Sequence, residues 1–353
     1  MAQALRQSAQ RTGGLVVLSD CPLNAETPLA LLGERVTSLP SVFVRCHFDL
    51  PRLDARSYRL AVGGEVSRPL ELGLGELQAG RVIERRVTFE CAGNGRVSLH
   101  PRPPGIPWGY GAASTVVVTG TPLADVCARA GLAESAREIV GEGADRGHVV
   151  PGREVAFERA LPREVALGER AILVWAMNGE LLSVEHGGPL RLLVAGRYGV
   201  DSVKWLVRLT AVSQPFAGHF QVSDYVERRP GEPDVPVGPM RVRALFVDPE
   251  DGARLARGPV VLRGVAWSGA APIRSVEVSV DGAATFRDAQ LDPEPTGDAA
   301  AGWRLLWTAE RPGDYELVVR AEDDSGARQP LEPTWNALGY GNNAAHRVHV
   351  RVL

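Results

Sequence analysis

The chain has 353 residues, 44% of them hydrophobic, 23% charged and 6% aromatic, enough for two domains, or three, around a core that needs no disulfide staples. A formal charge of -3 and a pI near 6.2 leave no overall basic field to hold a phosphate backbone, which argues against nucleic acid as the main partner. No run approaches the ~20 apolar residues of a membrane helix.

In chain order, Thr27-Pro28 and Thr121-Pro122 each set an N-cap and a first-turn proline before a short apolar run, and Gly33 and Gly131 close those runs, so two short helices are predicted. Strand-like runs lie at Arg86 to Glu90, Thr115 to Thr119, Ile172 to Met177 and Val203 to Val212. Asn178-Gly179 between apolar runs predicts a tight hairpin. Helices and strands do not alternate regularly, so the fold class expected is α+β rather than a doubly wound sheet. The segment 226–240 carries Pro230, Pro233, Pro236 and Pro239 and reads as a semi-rigid linker. Beyond it Val276, Val278 and Val280 alternate ahead of Asp281-Gly282, and so do Leu317, Val319 and Ala321, then Val348, Val350 and Val352. With Val260 to Trp267 and Trp303 to Trp307 this predicts an all-β, immunoglobulin-like sandwich. The expected division is a domain at 1–235 and the sandwich at 236–353.

Four cysteines, Cys21, Cys46, Cys91 and Cys127, stand in the first 130 residues with no CxxC pair, which suits one special thiol better than a disulfide framework or a zinc ribbon. The unusual segment is VTFECAGNGR. A strand delivers Cys91 to its end, Gly93 and Gly95 permit a sharp turn, and Arg96 follows. A neighbouring cation favours the thiolate, the form that attacks carbon or binds a soft metal; a buried structural cysteine is the commoner fate of a free thiol. None of the seven histidines stands in a local signature with Cys91, so a cysteine-nucleophile reading is weak. Three clusters suit an anion. They are Arg45 with His47 at strand spacing, His186 with Arg191 around a glycine turn, and Ser202 beside Lys204, the only lysine among 39 basic residues. Together they suggest a phosphate-bearing ligand.

These segments resemble the sulfite oxidase family of molybdenum enzymes over nearly the whole chain. FVRCH is similar to the family's F-x-R-N-H, FECAGNGR to Q-C-A-G-N-R-R, and IPWGYGAAST to the tryptophan-bearing stretch that follows the cysteine. EHGGPLRLLVAGRYGVDSVKWL resembles the family's most specific signature, GHFQVSDY its S-H-W-Q-x-x-D-Y, and VAWSGAAPIRSVEVSVDGAATF the opening of its C-terminal sandwich. The resemblance implies a molybdenum-molybdopterin cofactor with Cys91 as the metal's thiolate ligand, soft sulfur suiting the metal. It implies that Arg45, His47, Asp145, His186, Arg191, Ser202, Val203 and Lys204 hold the pterin and its phosphate. Arg45, Arg96, Trp108 and Tyr225 would meet the substrate anion, sulfite, on its way to sulfate, with Tyr225 donating a hydrogen bond. It further implies a homodimer through the sandwich and electron transfer to an external acceptor, a c-type cytochrome.

Three departures limit the transfer. Cys46 stands where the family has asparagine, Gly95 replaces the first arginine of a doublet, and Leu338 replaces a substrate arginine in TWNALGYGNN. Nitrate reductases also lack that last arginine, so reduction of nitrate or another oxyanion on the same centre is an alternative, and a non-catalytic binding protein using the sandwich is another. No cytochrome-like histidine motif is present, so no haem is expected. The run Leu15 to Leu18 is too short for a secretory leader and no Arg-Arg plus apolar stretch opens the chain. As written the sequence reads as cytoplasmic, or as periplasmic if a leader has been removed.

Overall fold

The computed structural model describes residues 14–150, 152–292 and 297–353. Strands dominate, and the longest helix among the described residues is Leu123–Ala130. The α+β expectation therefore holds only in part: short helical turns decorate sheets. Among the described residues no helix is long and apolar enough to cross a membrane.

Strand Ala171–Met177 sits at the centre of one sheet, and all seven of its residues are buried. It pairs with Ala113–Pro122, Glu180–Leu181 and Arg191–Val194, and Ala113–Pro122 pairs in turn with Ile83–Glu90. An apolar run of that length suits a strand covered on both faces. Alternate side chains serve different cores: Ala171, Leu173 and Trp175 face the largest one, while Ile172, Val174 and Met177 join Val87, Phe89, Cys91 and Trp108 in another. The hairpin after Met177 forms as its sequence predicts, with Asn178 and Gly179 both left-handed at φ 50° and 82°, the twist that a two-residue loop needs.

A second sheet runs Leu70–Leu72, Leu60–Gly64, Leu206–Val212, Glu138–Val150, Arg153–Pro162, with Leu60–Gly64 and Leu206–Val212 parallel. A small sheet of Val16–Asp20, Leu23–Glu26 and Val44–Arg45 brings residues near 24 beside Arg45. Towards the C-terminus two further sheets face each other. One contains Arg243–Asp248, Gly258–Trp267, Ala301–Ala309 and Gln290–Leu291, the other Ala253–Leu255, His346–Val352, Gly313–Asp323, Ile273–Ser279 and Arg287–Asp288. The alternating valines point inward as expected, packing Val276, Val278, Leu317, Val319, Val348 and Val350 against Phe246, Leu262, Trp303 and Trp307.

Three expectations need correction. Both predicted helices begin one residue later than the spacing implied. Pro28 and Pro122, in extended conformation, hold the N-cap positions of Leu29–Gly33 and Leu123–Ala130, and neither threonine caps. Thr27 instead donates its hydroxyl to the Ser41 carbonyl at 2.7 Å. The strand foreseen at Val203 to Val212 starts only at Leu206. The proline-rich 226–240 segment is not a free spacer: Val226–Glu227 pairs with Val235–Pro236, and Val237 and Met240 are buried in the main core.

Candidate active site

Cys91 lies at the end of strand Ile83–Glu90, where its N–H donates to the Ala112 carbonyl at 2.8 Å and its carbonyl accepts the Asn94 N–H at 2.9 Å. Two cavities meet at it. The first, about 620 Å³, is lined by Arg45, His47, Cys91, Asp145, His186, Arg191, Ser202, Lys204 and Tyr225, with Phe43, Phe89 and Phe157 as apolar walls. The second, about 610 Å³, is lined by Arg45, Cys91, Arg96, Ile106, Trp108, Asp224, Tyr225, Leu338 and Tyr340. Arg45, Cys91 and Tyr225 belong to both, so the thiol stands at the junction of the two cavities.

The first cavity concentrates buried positive charge. The turn at Gly187, φ 94°, is close enough to Lys204 that a Cβ would lie 2.7 Å from the lysine's own Cβ, so only glycine lets the two segments share the wall. Lys204 Nζ donates to the Glu185 carbonyl at 2.8 Å and to Cys46 Sγ at 3.1 Å. Arg191 donates to the carbonyls of His186 and Ser202 at 3.1 and 3.3 Å. Burial, then Lys204 and Arg191, push His186 down to about 4, and burial pushes Arg191 down to about 10. His47 is held well below its ordinary value by burial and then by Arg45. Its Nε2 meets the Tyr225 hydroxyl at 2.5 Å and its ring stacks on Phe157.

Crowded cations and lowered basicity mark a site short of an anion. Two polar atoms carry the same message: Arg191 Nε and Asp145 Oδ1 are buried without a partner, and burial pushes the Asp145 carboxyl up to about 6. A phosphate answers the first and an N–H-bearing ring the second, so these residues fit a phosphorylated pterin. Val203 is the exception. It is wholly buried in the main core, its carbonyl taking the Leu192 N–H at 2.8 Å, and its side chain does not line the cavity.

Around the thiol, the cation beside Cys91 differs from the expectation. Burial pushes its pKa up, and Arg45 opposes this more than Arg96 does. Arg96 spends its two terminal nitrogens on the carbonyls of Ile106 and Leu338 at 2.9 and 3.1 Å, its guanidinium 5.0 Å from the Tyr340 ring, and leaves a buried Nε without a partner. Arg45 is supported by Asn24, whose Oδ1 accepts from Arg45 Nη1 at 3.1 Å and from the Cys46 N–H at 3.2 Å. Trp108 is 1% exposed and both packs in the core around Cys91 and lines the second cavity. Tyr225 adopts φ 53°, a costly conformation for a bulky residue. Asp224 Oδ1, accepting its N–H at 3.0 Å, and the Val237 N–H, donating to its carbonyl at 3.0 Å, hold it there. Its ring stacks on Tyr340 at 4.7 Å, and Tyr340 donates to Asp224. Asn24 and Tyr340 escape a reading by spacing, because each acts through a contact far away in sequence, whereas Asp224 stands next to Tyr225 in GHFQVSDY.

Comparison with known proteins agrees with this geometry. A family described as "Oxidoreductase molybdopterin binding domain" matches residues 47–220, and "Mo-co oxidoreductase dimerisation domain" matches 236–353. The sulfite oxidase of Gallus gallus is 35% identical, covering 96% of this chain and 78% of that protein. The chain belongs to the sulfite oxidase family. Other relatives within the reach of this family are the mitochondrial sulfite oxidase of Mus musculus, 36% identical over 97% of this chain, and a nitrate reductase [NAD(P)H] of Hordeum vulgare, 30% identical over 94%. The chain spans 66% of the mouse protein's length and 41% of the barley protein's. Among solved structures, the sulfane dehydrogenase SoxCD of Paracoccus pantotrophus superposes with a TM-score of 0.83 at 26% identity, covering 93% of this chain and 84% of that one.

Proposed function

We propose that this chain is a molybdenum-molybdopterin oxidoreductase that oxidises sulfite to sulfate and passes the electrons to an external acceptor, a c-type cytochrome. The observation that carries the proposal is a buried thiol at the junction of a cation-rich cavity and a second one walled by Trp108 and Arg96. When bound, the molybdenum centre would supply two-electron redox chemistry next to the substrate. Cys91 would ligate the metal. Lys204, Arg191, His186 and Ser202 would hold the phosphate end, and Asp145 would accept from the pterin ring. On the substrate side Arg45 would orient the oxyanion through a planar fork. Trp108 and Ile106 exclude water from one wall, and the Tyr225 hydroxyl, shared with His47, would hold a proton against the bound oxygen. The chain divides functionally into a cofactor-binding part at 1–235 and an immunoglobulin-like sandwich at 236–353, the latter forming a homodimer, as the dimerisation-domain match supports.

Leu338 favours a second reading. An apolar side chain stands in the substrate cavity where another cation would complete a dianion site, so nitrate or another oxyanion is the competing substrate. Metal analysis of protein from a molybdopterin-competent host, with sulfite-dependent ferricyanide reduction and nitrate reduction measured side by side, tests both. Near one molybdenum per chain with sulfite turnover, both lost in Cys91→Ser, is the expected result. Molybdenum with nitrate turnover alone transfers the assignment to the second reading, and absence of molybdenum defeats both.

A further inference from the structure

The residue before the thiol is fixed from the far end of the chain. Glu90 is wholly buried. Its Oε1 accepts Asn94 Nδ2 at 2.9 Å and lies 2.8 Å from Arg243 Nε, while its Oε2 accepts Trp267 Nε1 at 2.9 Å. The two charged side chains are 0% and 1% exposed. The turn that follows is tied to the same region. The Gly341 N–H donates to the Ala92 carbonyl at 2.8 Å, and Asn342 Nδ2 donates to the Gly95 carbonyl and to Ser98 Oγ, each at 2.8 Å. Arg243 itself donates to the carbonyls of Asn94 and Asn342. Positions 90, 92, 94 and 95 are thus each bonded to residues between 243 and 342, and Cys91 sits among them.

A buried ion pair is a poor device for stability, since two apolar residues of similar volume often do as well or better. What a carboxylate with three fixed partners does supply is direction. Strand Ile83–Glu90 ends at Glu90, so its orientation sets where the next side chain points. Glu90, Arg243 and Trp267 line neither cavity, so any effect they have on a ligand there runs through the Cys91 segment they hold. We infer that Glu90 and Arg243, with Trp267 holding the second carboxylate oxygen, are positioning residues that aim Cys91 Sγ at the molybdenum, which makes the C-terminal sheets a working part of the metal site. The inference rests on Cys91 being the metal ligand.

The test compares wild-type holoprotein with Trp267→Phe and with the double variant Glu90→Leu/Arg243→Met, which fills the space without leaving a lone buried charge. The readouts are molybdenum per chain, the Mo(V) electron paramagnetic resonance spectrum of the partly reduced protein, and kcat and KM with sulfite. The double variant is expected to keep its circular dichroism and a single thermal transition. Its spectrum shifts or becomes heterogeneous, and kcat or metal retention falls on the order of 10- to 100-fold, as for other residues that orient a metal ligand, with KM nearly unchanged. Trp267→Phe shows a smaller change in the same direction. A folded double variant with the wild-type spectrum and kcat overturns the inference. If the double variant does not fold, an unchanged spectrum and kcat in Trp267→Phe overturn it instead. Wild-type protein without molybdenum overturns the cofactor assignment and this inference with it, whereas loaded wild type beside an unperturbed variant overturns the inference alone.

Discussion

Two arginines line the Trp108 cavity, and each spends part of its fork on the protein: Arg96 on the Ile106 and Leu338 carbonyls, Arg45 on Asn24 and the Cys46 carbonyl. A Cβ at Gly93 or Gly105 would come within 2.9 Å of the Arg96 guanidinium, so both glycines exist to let that group thread between loops and bond to Ile106 and Leu338. With both guanidiniums partly engaged, the cavity has little cationic capacity to spare, and Asp224 adds a negative charge to the same wall. Placing a guanidinium at Leu338 therefore changes binding more than chemistry. Leu338→Arg is expected to lower the KM for sulfite about tenfold, the worth of one charge-assisted hydrogen bond, with kcat altered less; steady-state kinetics decide, and an unchanged KM would mean that residue 338 does not face the anion. Glu26 governs the loop on the other side of the tryptophan. It accepts the Gly109 N–H at 2.9 Å, yet burial outweighs this and the Gly111 N–H and pushes its carboxyl from about 4.5 up to about 7. The folded chain thus holds that proton more tightly than the unfolded chain, so the stabilisation is complete below pH 4.5 and is lost as pH rises through 7. Glu26→Gln stays neutral throughout. It is expected to melt above wild type at pH 8, by an amount that reaches at most ~3 kcal/mol, and to match it at pH 5; equal melting at both pH values would contradict the raised value.

Elements whose signal is local were legible, and those set by distant contacts were not. The alternating valines of Ile273–Ser279, Gly313–Asp323 and His346–Val352 face one core because side chains two apart share a strand face. The Asn178-Gly179 turn needs only its own φ preferences. Thr27 fails as a cap because Ser41, 14 residues on, takes its hydroxyl. The prolines of 226–240 do not keep the segment free, because Val237 and Met240 find places in the core. The same division runs through the site. The motifs contain Cys91, Arg45, His186, Arg191 and Lys204, all of which line the cavities, whereas Asn24 under Arg45 and Tyr340 against Tyr225 depend on pairings no spacing reveals. The hairpin offers a clean check of a local signal. Nothing lies within 4 Å of a Cβ at Gly179, so Gly179→Ala meets only the left-handed strain, about 1 kcal/mol. Urea unfolding should register that loss with molybdenum content unchanged, and a loss several times larger would show that the turn carries tertiary contacts as well.

At the scale of the molecule, sequence composition suggests two units, yet the largest core does not respect the division. Val237, Met240, Leu245, Val265, Trp267 and Tyr340 pack in the same buried cluster as Leu173, Leu190, Tyr198 and Tyr225, and the charged groups Glu90 and Arg243 meet where the two parts join. Separating the parts would expose that apolar surface and strand a buried carboxylate without its partner, both of which are costly. The chain should therefore unfold as one cooperative unit despite its length, with a calorimetric enthalpy equal to the van't Hoff value. Residues 1–235 expressed alone should lack a sharp thermal transition and bind hydrophobic dyes. Two separated transitions in the whole chain, or a cooperative melt of the 1–235 fragment, would mean that the shared cluster contributes little and that each part stands on its own core.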